Sequence, residues 1–377
     1  MPMTKLAAHV QESSDAAAEH LRMALYPALK CMGNTTAAWL REKVLPEYDR
    51  CGVPRPFIWR REHVTIEQQY EWVRQGTTGA ARFFESTVQA YDTWRELTDV
   101  IESVNEVIGS DEDMRWLAEF ESEVLRLYHV HGNRVIAGNF NVGWPKLEQW
   151  PLYSAVLAHA DFLGLHEYAW PEGVAEDGVP FLWHPWWVMR YKKAREVILS
   201  HRLRLPPIVF TEIGWDKAIW QGGHVGFRGA PDPNAYYSWL TGYDYRVTPD
   251  TDVRYCSIFQ TGAAADWREK GFDIVGHYVG NVLADYTRVD ALQMPPETPP
   301  EPPTTGKLSE VEKARLREFF ATAVPATLKD AIARRRLWVG QVPGTENLYV
   351  SWDPAYGRYE INKVHPQTWE HLDDESL

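Results

Sequence analysis

From the first residues to about position 292, short unbroken apolar runs alternate with longer amphipathic stretches. The runs are Lys5–Val10, Ala28–Met32, Pro56–Arg60, Asp99–Asn105, Arg134–Phe140, Phe162–His166, Pro207–Phe210 and Tyr255–Gln260. Their length and lack of polar alternation predict strands buried on both faces. The stretches between them carry helix signals: Ser14-Asp15 opens a helix through Leu25, and Thr35-Thr36 opens another to about Tyr48. Further helices are predicted near Ala80–Leu97, Ser110–Tyr128, Leu152–Ala160, Pro185–His201, Pro233–Tyr243 and Tyr278–Leu292.

Eight strand–helix units in series predict an α/β chain whose parallel sheet closes on itself, a (β/α)8 TIM barrel over residues 1–292. The rival is an open doubly wound sheet, and no Gly-rich dinucleotide fingerprint follows the first strand to favour it. Residues 293–306, which include MPPETPPEPPTTG, read as a stiff Pro-rich linker. Residues 307–377 read as a small α+β region of no legible function: a helix over Leu308–Phe320, then strands at Leu337–Val339, Leu348–Val350 and Tyr359–Ile361.

Composition narrows the partners. A net charge of −13 without a basic, aromatic-interleaved patch argues against nucleic acid. No run reaches the roughly 18 apolar residues of a membrane span, and residues 1–10 lack a signal-peptide core, so the expectation is no membrane partner and a cytoplasmic setting by default. Cys31, Cys51 and Cys256 form no zinc or disulfide spacing, and neither metal nor cofactor is expected. The 18 tryptophans are several times the usual share: many are expected in the core, where indoles bury large areas, and a surplus near loops equally suits a carbohydrate cleft, because sugar rings present apolar C–H faces to indoles.

Two glutamates stand where apolar runs meet loops: Glu106 in Ser-Val-Asn-Glu and Glu212 in Phe-Thr-Glu-Ile-Gly-Trp. In a barrel, the C-terminal ends of the strands share one cleft. A pair of carboxylates across a cleft is the minimal equipment for breaking a glycosidic bond.

Residues 4–290 resemble the clan of retaining β-glycosidases with (β/α)8 barrels, in which an Asn-Glu pair ends strand four and a second Glu ends strand seven. The resemblance implies that Glu106 is the acid/base, Glu212 the nucleophile, and Asn105 a partner of the sugar 2-hydroxyl. His166 and Tyr168 match the clan's polar strand-six site, where a tyrosine often bonds the nucleophile. The implied activity is double-displacement hydrolysis of β-linked sugars, with a polysaccharide as the expected substrate. Where many members carry Trp at strand eight, this chain has Phe259-Gln260-Thr261-Gly262, with Trp267 further on. Where many carry Arg near strand two, it has Lys30 and Asn34, and Arg60, Arg61 or His63 are candidate substitutes.

Asn139 and Asn141, after strand five, are candidate partners of sugar hydroxyls, or caps of the next loop. Trp144, Trp170 and Trp215 follow strands five, six and seven, and at least one is expected to stack on a sugar. His9 and Gln11 are expected to shape the cleft floor, and Glu167 to point away from it. Asp99, Glu102 and Glu106 are also similar in spacing to a chitinase-type signature, but Val104 stands where that chemistry needs a carboxylate. A catalytically silent barrel that binds glycans or serves a larger assembly is the alternative from another class.

Overall fold

The computed structural model describes residues 4–107 and 109–292, together with the backbone of three later strands. The chain forms two compact units, Met1–Met294 and Pro295–Leu377.

In the first unit, eight strands form a closed barrel in chain order. They are β1 (Leu6–Val10), β2 (Ala28–Cys31), β3 (Phe57–Arg60), β4 (Val100–Glu102), β5 (Arg134–Phe140), β6 (Phe162–Ala169), β7 (Ile208–Trp215) and β8 (Val253–Ile258). Each pairs in parallel with the next, and β8 returns to β1 through Leu6–Cys256 and Ala8–Ile258, so the sheet is a TIM barrel and not an open sheet. Nearly every strand residue is buried, because one face packs inside the barrel and the other under the helices.

The two-residue period of a strand sorts the barrel interior into layers. Ala7, Ala28, Trp59, Val100, Ile136, Phe162 and Val209 form an apolar layer. Two residues further along the same faces come His9, Lys30, Arg61, Glu102 and Thr211, all buried. The apolar layer is a seal, and the charged layer above it faces the C-terminal ends of the strands.

Two predicted boundaries move in ways that bear on the site. The fourth strand stops at Glu102 instead of running to Asn105: the Asn105 N–H bonds the Gln69 side-chain oxygen at 2.6 Å and the Glu106 N–H bonds Asn139 O at 3.1 Å, so neither joins the ladder as a regular strand would. Conversely, β6 and β7 continue past the predicted ends at His166 and Phe210 and carry Tyr168 and Glu212 inside the strands. The helix predicted from Ala80 begins at Gly76 and ends at Asp92, after a separate helix, Ile66–Arg74, capped by Thr65.

In the second unit, β9 (Leu337–Gln341), β10 (Leu348–Trp352) and β11 (Tyr359–Val364) form an antiparallel sheet in the order β11-β10-β9. The helix predicted over Leu308–Phe320 lies outside the described residues. Among the described residues, no helix is long and apolar enough to cross a membrane.

Candidate active site

Glu212 sits inside β7 with its side chain 9% exposed. Tyr168, two residues beyond His166 on the same face of β6, donates its hydroxyl to Glu212 Oε2 at 2.8 Å. Lys30 Nζ from β2 reaches Glu212 Oε1 at 3.3 Å and Thr211 O at 3.2 Å. Arg61 Nη1 lies 3.8 Å from Glu212 Oε1, and His166 Nδ1 3.6 Å from Oε2. Burial pushes this carboxyl up, but His166, Lys30, His9 and Arg61 outweigh it and hold Glu212 well below the usual carboxylate range. Burial and then Lys30 push the His9 ring well below the ordinary imidazole range. Burial and the neighbouring carboxylates push the Tyr168 hydroxyl far up, so it remains a donor at any working pH.

Glu106 is the opposite case. Its side chain is 34% exposed, and its backbone is left-handed (φ 57°), a conformation that side-chain-bearing residues seldom take without support. The support is local: Asn139 O accepts from the Glu106 N–H, and the Tyr70 hydroxyl reaches Glu106 O at 3.4 Å. His166 Nδ1 meets Glu106 Oε1 at 2.7 Å, while the rest of the His166 side chain is fully buried. One imidazole nitrogen thus stands between the two glutamates, and their facing oxygens lie within 4.8 Å of each other.

Asn105, next to Glu106, is 8% exposed, and its Oδ1 is buried with no hydrogen-bond partner among the described residues. That leaves an acceptor ready for a hydroxyl donor. Asn141 is half-buried with a similarly unpaired Oδ1. Three other candidates do not fit a binding role. Asn139 is fully buried, donating to Val104 O at 3.1 Å and accepting from Thr211 at 3.1 Å, so it braces β5 against β7. Trp170 and Trp215 are 0% and 1% exposed within the helix–strand core, where no sugar face can reach them. Trp144 is half-buried beside Lys146, and its carbonyl takes a hydrogen bond from Arg190. Glu167 points outward from the barrel, accepting from Met189 N, Tyr191 N and the Tyr243 hydroxyl.

Of the three candidate substitutes for an arginine near strand two, Arg61 reaches the site. Arg60 turns to Glu62 and stacks over Trp94, and His63 is exposed. Sequence reasoning passed over Lys30 and Glu102 as site residues. Their signal was a full charge inside an apolar central strand, which is tolerated only when paired. Phe259 stands at the end of β8 against His9 and Tyr168, with Trp267 edge-on beyond it.

Glu106, His166 and Glu212 could converge on a metal ion by distance alone. The charges argue otherwise: Lys30 and Arg61 already face Glu212 Oε1, so a divalent cation would enter beside two fixed positive charges.

No family model and no curated protein sequence matches the chain. Among solved structures it is similar to a GH39 β-xylosidase from Caulobacter crescentus (12% identity, 93% of this chain and 77% of that one, TM-score 0.49). It is also similar to a GH26 β-mannanase from Bacteroides ovatus (17%, 76% and 88%, 0.46) and an endo-β-1,4-mannanase from Cellulomonas fimi (16%, 77% and 70%, 0.45). At such identities and scores the likeness does not decide a reaction, which has to be argued from the site itself.

Proposed function

We propose that this chain is a retaining glycoside hydrolase that acts on β-linked sugars through a covalent glycosyl-enzyme. The observation that carries the reading is the contrast within one close pair: an ionised, charge-held Glu212 within 4.8 Å of a solvent-accessible Glu106. Retaining enzymes need carboxyls about 5–5.5 Å apart, whereas inverting enzymes need ~6.5–9.5 Å to admit a water.

In the first step Glu212 attacks the anomeric carbon while Glu106 gives its proton to the departing oxygen, and the C–O bond to the leaving group breaks. In the second step Glu106 takes a proton from water, the water oxygen bonds the anomeric carbon, and the ester electrons return to Glu212. Tyr168 and Lys30 hold Glu212 as the attacking carboxylate. Asn105 Oδ1 accepts from the sugar 2-hydroxyl, and His166 keeps Glu106 aimed between the two bonds. A polysaccharide suits the rim: Trp144, Trp186, Trp187, Trp220 and Trp267, all partly exposed, follow β5, β6, β7 and β8.

The test is a panel of β-glycosides and β-glucans, mannans and xylans with Glu212→Gln and Glu106→Ala. Glu212→Gln should abolish turnover, and azide should restore Glu106→Ala on an activated aryl glycoside. Normal turnover by Glu212→Gln would overturn the reading.

A further inference from the structure

Lys30 and Glu102 have no water contact at all, yet they lie directly beneath Glu212. Lys30 Nζ is 3.0 Å from Glu102 Oε1, and Arg61 Nη1 is 3.8 Å from the same oxygen. The other oxygen, Glu102 Oε2, accepts from Trp59 Nε1 at 3.0 Å. Lys30 directs its hydrogen bonds at Thr211 O and Glu212 Oε1, so its contact with Glu102 is charge against charge. Two cations are therefore shared between two carboxylates, of which Glu212 alone can be reached by a substrate.

We propose that Lys30, Arg61 and Glu102 form a charge balance that sets how readily Glu212 enters and leaves the glycosyl ester, with Lys30 and Glu102 acting as positioning residues of opposite effect. The inference rests on the hydrolase reading above. In the free enzyme the two cations and two carboxylates cancel. Once Glu212 is an ester its charge is gone, and Lys30 with Arg61 face Glu102 alone. The surplus positive charge favours breaking the bond between the anomeric carbon and Glu212, with the electron pair returning to the carboxylate. Glu102 limits that surplus; without it, both cations would grip free Glu212 and blunt its attack. The remaining groups facing Glu212 are His9 from β1, Glu106 after β4, and His166 and Tyr168 from β6; His166 also draws Glu212 down, but the cations that pair with both Glu212 and Glu102 are Lys30 and Arg61.

Opposite effects follow from the two substitutions. Lys30→Met should raise the acid limb of kcat/KM by roughly 1–3 pH units. It should also slow ester breakdown, so that an aryl glycoside gives a burst and the glycosyl-enzyme accumulates. Glu102→Gln should lower kcat/KM about tenfold with no burst and no upward shift of that limb. Because removing one partner of a buried pair can weaken folding, Lys30→Met/Glu102→Gln is the second measurement: it removes both charges, leaves Arg61 opposite Glu212, and should return the acid limb toward wild type. Carboxyl NMR of glutamate-labelled protein, assigned with Glu212→Gln, follows the same titration without turnover. Equal losses in both single variants with unchanged pH profiles, or a double variant whose acid limb stays where Lys30→Met puts it, would overturn the proposal. A wild type that turns over no β-glycoside while Glu212 titrates as described would instead overturn the hydrolase reading and leave the charge balance standing.

Discussion

Glu106 and Glu212 differ in their surroundings, and that difference sets what each substitution does. Removing a positioned acid/base costs on the order of 10²–10⁴-fold, so Glu106→Ala should lose that much on substrates with poor leaving groups and far less on activated ones. The low position of Glu212 fixes a sign: its carboxylate is already charged across the mildly acidic range, so the acid limb of wild-type kcat/KM should fall below ordinary carboxylate values. Measured limbs near an unperturbed glutamate would contradict the role given to Lys30 and Arg61. Trp215, buried among Tyr236 and Trp239, belongs to stability. Trp215→Ala should cost about 3–5 kcal/mol in urea unfolding with KM unchanged in the folded fraction. The two glutamates, Asn105, His166 and Tyr168 were legible because each follows or continues an apolar run. Burial was not legible: Trp144, Trp170 and Trp215 occupy equivalent places after their strands, and only side-chain packing separates the half-buried one from the other two.

At the scale of elements, two buried carboxyls tie helices and loops to the strands. Glu121, on the helix Asp111–Val130, accepts from the Gly138 N–H at the irregular turn of β5, and Glu167 gathers the loop before the helix Tyr191–Ser200. Burial pushes both up to about 7. Between pH 4.5 and about 7 the folded chain keeps protons that the unfolded chain releases, so stability falls as pH rises through that window. Each group contributes about 3 kcal/mol over the whole window. Glu167→Gln should therefore flatten the pH dependence of unfolding in that window, and an unchanged slope would place the ionised form in the fold. Strand existence was readable from apolar runs. Strand ends were not, because they are set by contacts distant in sequence, such as Gln69 on Asn105 and Asn139 on Glu106.

At the scale of the molecule, closure of the barrel followed from eight repeated units and needed no special residue. The charged layer did not follow from that pattern, since Lys30 and Glu102 become intelligible only when β2, β4 and β7 are brought around one axis. The first compact unit ends at Met294, and a chain stopped there should unfold cooperatively with the midpoint of the barrel in the full chain; loss of cooperative unfolding would place part of the barrel's stability beyond it. The chemistry itself is tested by incubating the protein with a fluorosugar β-glycoside bearing an activated leaving group and mapping the labelled peptide by mass spectrometry. One sugar on Glu212 in the wild type, absent in Glu212→Gln, is the expected result. An active enzyme that carries no label, or carries it on another residue, would contradict the covalent route.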